Sequence, residues 1–107
     1  MHCVIYLFKV KPGSEPVFEA SWHELTTGIY QHRGSLGSRL HRSQVAGEYV
    51  AYAQWPSEEQ YKKDIPLPEE LRLVGVRMRE SCESIVTQHQ MTIVDDLLRT
   101  TPSRTDR

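Results

Sequence analysis

The side chains of this chain that could do chemistry are aromatic rings and imidazoles on predicted strands and helices. Trp55 is the most informative, because it ends a strand and is followed directly by Pro56-Ser57. A large aromatic residue at this position lies at the rim of a sheet, where it either lines a cavity or closes the core. If it lines a cavity, a small aromatic ligand is the compound it would bind.

Three histidines are candidate catalytic bases, because a neutral imidazole can accept a proton near neutral pH. His23 lies on the first predicted helix, His41 on the second predicted strand and His89 on the last strand. The alternative for each is a solvated or hydrogen-bonded histidine without a catalytic role. The turn at Ala46-Gly47 leaves the hairpin register open, and a slip of one residue would move every side chain to the other face.

Three further side chains are candidates for substrate binding beside Trp55. Arg39 could pair with an anionic substrate, although an arginine on a strand is also typical of a surface or a dimer contact. Trp22 lies within the apolar stripe of a helix, which favours core packing and leaves substrate contact as the alternative. Tyr52 lies on the same strand as Trp55.

Motifs for several other chemistries are missing from the sequence. The first strand is followed by Lys11-Pro12-Gly13-Ser14, which has one glycine and does not form a glycine-rich phosphate loop. No nucleophile elbow is present, and no His-Glu-x-x-His or Cys-x-x-Cys spacing indicates a metal site. We therefore predict no metal, no nucleotide binding and no acyl transfer.

Composition narrows the class of protein. A chain of 107 residues with 38% hydrophobic and 25% charged residues is typical of one folded domain. A formal net charge of -1, with scattered Lys and Arg, argues against nucleic acid as a partner. Neither a basic leader nor an apolar run of about 20 residues is seen, so we expect no membrane segment and a cytoplasmic location. Cys3 and Cys82 are expected to be reduced core residues.

Hydrophobic periodicity and turn residues predict the elements that must position these side chains. Pro12-Gly13 ends the first strand, and Gly34 ends the first helix, which starts after Ser14. Ser57 and Gln60 have the spacing of a capping box. The predicted strands are 2–11, 35–43, 48–55 and 85–97, and the predicted helices are 15–33, 58–63 and 69–83.

The order of these elements predicts an α+β fold. It matches a ferredoxin-like split βαβ arrangement, with a four-stranded antiparallel sheet covered by helices on one face. We assign the domain to residues 1–98 and expect residues 99–107 to be a disordered tail.

The first strand is apolar on both faces. Val4, Tyr6 and Phe8 alternate with Ile5 and Leu7. Helices can cover only one face, so a single copy would expose a broad apolar sheet to water. We therefore predict a homodimer through the sheet faces. The alternative is a half-exposed face that is tolerated, because surface apolar residues are common.

Several segments together resemble the antibiotic biosynthesis monooxygenase family. They are Phe8-Lys9-Val10-Lys11-Pro12-Gly13, the helix with Phe18 and Trp22, the stretch 34–42, and the strand that closes on Trp55-Pro56-Ser57-Glu58-Glu59. The resemblance covers nearly the whole chain except the tail. It implies a dimeric α/β barrel with a pocket in each subunit between the sheet and the helices.

The resemblance also implies a type of chemistry. Oxygenases of this family act on phenolic, quinone or anthrone-like compounds without metal, flavin or another cofactor, and Trp55 matches their tryptophan at the strand end. The family's oxygenases also place an Asn in this site, whereas this chain has none. Heme-degrading relatives use a His after the strand-end Trp, and no His lies between Trp55 and Cys82. The alternative function is a non-catalytic dimeric module that binds a small ligand or only stabilises an assembly.

Overall fold

Four strands and three helices follow one another along the chain. A computed structural model describes residues 1–99. The elements are β1 (His2–Val10), α1 (Glu15–Arg33), β2 (Ser38–Arg42), β3 (Glu48–Trp55), α2 (Glu58–Lys62), α3 (Glu69–Glu80) and β4 (Cys82–Thr92).

The strands form one antiparallel sheet in the order β2-β3-β1-β4. This arrangement confirms the predicted α+β, ferredoxin-like fold, with β1 and β3 in the centre. Gly47, with φ of 76°, makes the turn between β2 and β3 in a backbone conformation that glycine adopts without strain. The predicted tail lies mostly outside the described residues.

The ends of α1 follow from local chemistry. Ser14 occupies the N-cap position, although its side chain makes no capping hydrogen bond. Gly34 ends the helix in the left-handed conformation, with φ of 75°. The Gln60 side-chain amide donates to the carbonyl of Arg33 at 2.7 Å, so α2 satisfies one of the free carbonyls at the end of α1.

The boundary between α3 and β4 differs from the prediction. The helix was expected to continue to Glu83, but it ends at Glu80, and Cys82 already pairs with Val10 in the sheet. The backbone carbonyl of Ser81 accepts a hydrogen bond from Lys11 at 2.9 Å, which draws the chain onto β1. β4 ends at Thr92 rather than residue 97, because its partner strand β1 begins at His2.

The register gives the two faces of the sheet different surroundings. Val4, Tyr6 and Phe8 share one face with alternate residues of β3, and the helices pack against this face. Phe18 of α1 is fully buried there, and its ring centroid lies 5.0 Å from that of Phe8. Apolar side chains also occupy the opposite face, on which none of the helices in residues 1–99 packs; they include Ile5, Leu7, Val50, Val86 and Met91.

None of the helices in residues 1–99 combines the length and the hydropathy that spanning a bilayer requires.

Candidate functional site

A cavity of about 220 Å³ lies between the helix-covered face of the sheet and the helices. Aromatic and aliphatic side chains make up most of its wall, and none of the lining residues within 1–99 carries a charged side chain. The lining residues are Tyr6, Phe8, Trp22, Leu25, Thr26, Ile29, Ser35, Ser38, Ala53, Trp55, Met78 and Ile85.

Trp55 forms part of this wall and is only 6% exposed. Within residues 1–99, its indole Nε1 is the one buried side-chain nitrogen or oxygen without a hydrogen-bond partner. Leaving a buried donor unpaired costs about 1–3 kcal/mol. A ligand oxygen that accepts from this N–H would remove that cost.

Helix α2 holds a second aromatic ring against Trp55. The Ser57 hydroxyl accepts from the backbone N–H of Gln60 at 3.0 Å, which confirms the predicted cap. One turn later, Tyr61 packs edge-on against Trp55, with ring centroids 5.4 Å apart. Trp55 is therefore fixed from the α2 side as well as by its own strand.

Tyr6 joins the cavity wall to this aromatic group. Its hydroxyl donates to the Tyr61 hydroxyl at 3.4 Å. Burial, followed by this hydrogen bond, raises the pKa of Tyr6 above its ordinary value. Tyr6 is therefore a neutral donor near neutral pH rather than a base.

Three small hydroxyl side chains supply further polar atoms in the cavity wall. Ser38 donates to the backbone carbonyl of Tyr52 at 2.8 Å, and the Ser35 oxygen accepts from Gly37 at 3.2 Å. Thr26 contributes the third hydroxyl, from α1. No sequence pattern marks these residues, Tyr6 or Tyr61 as site residues, although alternation along β1 places Tyr6 on the face shared with Val4 and Phe8.

Of the predicted site residues, Trp22 and Trp55 both lie on the cavity wall. His23, the next residue after Trp22, points elsewhere. It lines a shallow exposed groove with Glu24, Thr27 and other side chains of α1.

Four other predicted site residues lie on the opposite face of the sheet. Arg39, Tyr52 and His89 fall in one cross-strand row with Ile5. His41 lies in the neighbouring row, where its Nδ1 bonds with the carbonyl of Val50 at 3.0 Å. The structure therefore separates these four from Trp55.

Tyr52 takes part in a separate hydrogen-bonded group on that opposite face. Its hydroxyl lies 3.0 Å from the Cys3 sulfur and donates to Gln54 Oε1 at 3.1 Å. The hydrogen bond with Cys3 and, as a smaller cause, burial raise the pKa of Tyr52 to about 12. Cys3 and Cys82 are both buried free thiols.

Possible metal ligands are dispersed over the described structure. In residues 1–99, no group of three or more His, Cys, Asp or Glu side chains is arranged to hold a metal ion.

The matches to known proteins agree with this architecture. The family model for antibiotic biosynthesis monooxygenase matches residues 1–63, which is more than half of the chain. The chain belongs to this family. The matched part of this antibiotic biosynthesis monooxygenase family member includes Trp55, Tyr61 and the first two helices.

Solved structures share the fold of this family member at low sequence identity. SnoaB, a cofactor-independent oxygenase from Streptomyces nogalater, is 14% identical with a TM-score of 0.72, over 92% of this chain and 97% of SnoaB. A Caulobacter crescentus structure assigned to the antibiotic biosynthesis monooxygenases is 21% identical with a TM-score of 0.73, over 88% and 90% of the two chains. Rv0793 from Mycobacterium tuberculosis is 15% identical with a TM-score of 0.67, over 91% and 98%. The curated proteins give no significant match.

Proposed function

We propose that this protein is a cofactor-independent monooxygenase that acts on a small phenolic compound. Membership of the antibiotic biosynthesis monooxygenase family supports this function. SnoaB, which has the same fold, is a cofactor-independent oxygenase. In the proposed reaction, a phenol with a hydrogen on the para carbon reacts with dioxygen to give a para-quinone and water. One oxygen atom forms the new C=O group, and the other leaves as water with the two hydrogens.

The buried, unpartnered N–H of Trp55 is the observation that carries this proposal. As the phenol gives up its proton and so becomes able to reduce dioxygen, negative charge develops on its oxygen. A fixed donor in a water-poor cavity stabilises such charge more than water does, because the donor does not have to reorient. Trp55 is the donor that we assign to this role.

The rest of the wall suits the same reaction. Apolar side chains keep water from the reactive intermediate, and Phe8 and Trp22 offer aromatic surface to a flat ring. The part of the chain that the structure describes places no carboxylate, imidazole or amine in the wall. We therefore assign no side-chain base, and the phenol proton passes to water at the open side of the cavity.

Of the residues predicted to bind substrate, we retain Trp55 and Trp22 in this proposal. The predicted bases His23, His41 and His89 are outside the cavity. Arg39 and Tyr52 lie on the face through which we propose that two copies associate. They would contribute to the interface there rather than to the reaction.

Oxygen uptake tests the proposal. Phenols, hydroquinones and anthrones would be offered to the wild type, to Trp55→Phe and to the control variants His23→Ala and His41→Ala. Trp55→Phe keeps an aromatic wall but removes the N–H, so kcat should fall about 100-fold with a smaller change in KM. Both histidine variants should keep the wild-type rate. Uptake at the buffer rate for every compound would contradict the proposal.

A non-catalytic ligand-binding module is the second candidate. The wall without an ionisable base favours it, and so do Ala51 and Ala53 on the Trp55 side of β3. The two functions differ in one measurement: a module of this kind would bind a phenolic compound tightly without raising oxygen uptake.

A further inference from the structure

The size and polarity of the cavity limit the compounds that it can hold. We infer that the protein takes an uncharged phenol of one or two fused rings and excludes a third ring from the cavity. This inference rests on the proposed function for the identity of the ligand as a phenol. It narrows the substrate class to compounds smaller than an anthrone.

The volume of the cavity sets the size limit. A closed apolar cavity of about 150 Å³ holds one benzene molecule. Pockets for drug-sized ligands usually measure about 300–1,000 Å³. The present cavity measures about 220 Å³, which is roughly one and a half times the volume of the cavity that holds one benzene molecule. Two fused rings fill that space, and a third ring would remain in water.

The wall sets the charge of the ligand. Among residues 1–99, no Asp, Glu, Lys, Arg or His lines the cavity. Moving a charged group from water into such a site is costly unless a counter-charge compensates for it. The polar side chains of the wall are the hydroxyls of Tyr6, Thr26, Ser35 and Ser38, to which the proposed function adds the unpartnered indole N–H of Trp55 as a donor. They suit one neutral hydroxyl or carbonyl group and not a carboxylate or an amine.

Met78 and Leu25 are two of the side chains that the helices contribute to the wall. Met78 of α3 is nearly buried and packs within the core cluster that contains Phe8 and Phe18. Leu25 of α1 packs against the same cluster. Truncating either to alanine removes several methylene-sized groups from the wall, and a rigid core closes such a space only in part. The size limit should therefore relax in both variants.

Calorimetric titration with phenol, 2-naphthol and 2-anthrol tests the inference. These compounds carry one hydroxyl each and differ in ring number. The titrations are run without dioxygen, so binding is measured independently of turnover. For the wild type, affinity should rise about tenfold or more from one ring to two, because more apolar surface is buried. From two rings to three it should change by less than about threefold.

Each of the enlarging variants, Met78→Ala and Leu25→Ala, should gain affinity from the third ring. In both, 2-anthrol should bind about tenfold more tightly than 2-naphthol. Leu73→Ala is the matched control, because Leu73 is on the exposed side of α3 at 49% exposure and does not line the cavity. It should keep the wild-type order. Circular dichroism checks that each variant is folded, and the two enlarging variants provide independent tests of the same limit.

Three results would overturn the inference. They are a tenfold gain for the third ring in the wild type, no binding of any of the three phenols, or tighter binding of a naphthalene carboxylate than of 2-naphthol. Failure of the proposed function would look different: 2-naphthol would bind as expected while oxygen uptake stayed at the buffer rate.

Discussion

The raised pKa of Tyr6 predicts a specific dependence of stability on pH. The folded-state pKa of this side chain lies above the ordinary tyrosine value of 10.0. Above that pH the unfolded chain loses a proton that the folded chain keeps, so the contribution of Tyr6 is present at lower pH and lost as pH rises.

Tyr6→Phe should therefore lose about 1 kcal/mol less free energy of unfolding than the wild type between pH 9 and pH 11. Urea unfolding at both pH values measures this difference. Tyr30→Phe changes an exposed tyrosine of α1 and should follow the wild type. Parallel losses in the wild type and Tyr6→Phe would contradict the assignment.

Sequence patterns locate only some of the side chains of the cavity. Trp55 and Trp22 are identified from a strand end and a helical stripe, because those patterns indicate which way a side chain faces. His41, Arg39 and His89 could not be placed in the same way. Their faces depend on which residues pair across the sheet, and β4 also contains a register shift opposite Ile5 and Tyr6.

A small polar cluster links helix α1 to strands β2 and β3, at the end of the sheet away from Trp55. Glu19 of α1 accepts hydrogen bonds from the hydroxyl of Tyr49 on β3 and from the guanidinium of Arg42 on β2, the latter at 3.0 Å. The pKa of the Glu19 carboxyl is lowered mainly by the hydrogen bond from Tyr49 and, to a smaller extent, by the hydrogen bond from Arg42. The cluster therefore fixes α1 against the hairpin that carries Trp55.

The two bonds to Glu19 should contribute unequally. Tyr49 is buried, whereas the side chains of Arg42 and Glu19 are 72% and 41% exposed. Tyr49→Phe should lower the free energy of unfolding by about 1–2 kcal/mol. Arg42→Ala should lower it by less than about 0.5 kcal/mol.

Thermal or urea unfolding of both variants at pH 7 measures these losses. The effect of Tyr49→Phe should shrink as pH falls below 4.5, because Glu19 then takes up a proton first in the unfolded chain and only at lower pH in the folded chain, so the contribution of its lowered pKa is lost. A larger loss for Arg42→Ala than for Tyr49→Phe would show that the exposed ion pair dominates.

Most of the elements were predictable because local signals mark their ends. Pro12-Gly13, Gly34 and the Ser57 cap gave the first strand and the first two helices nearly to the residue. The end of α3 was not predictable in this way. Cys82 continues the helical stripe of Val74 and Met78, but its pairing with Val10 depends on a contact between distant parts of the chain. Such tertiary contacts are not contained in a local pattern.

In a single copy, no helix of residues 1–99 covers the second, apolar face of the sheet. Leu7 lies between Val50 and Val86 in a cross-strand row on this face. We predict that two copies associate through it, so sedimentation should give twice the chain mass of 12.4 kDa.

Val50→Arg should convert the dimer to a folded monomer, because it places a charge in the middle of the proposed interface. The control Val17→Arg changes a residue of α1 that is 46% exposed, and it should leave the mass unchanged. A wild type that sediments as a single chain would contradict the predicted association.

The position of Trp22 and Trp55 also gives the protein an intrinsic optical signal. They are the only two tryptophans of the chain, and both border the same cavity. Ultraviolet light at wavelengths that tyrosine does not absorb therefore excites indoles only at this wall. A quinone that enters should quench that emission, so a compound library can be screened on the unlabelled wild-type protein before any reaction is known.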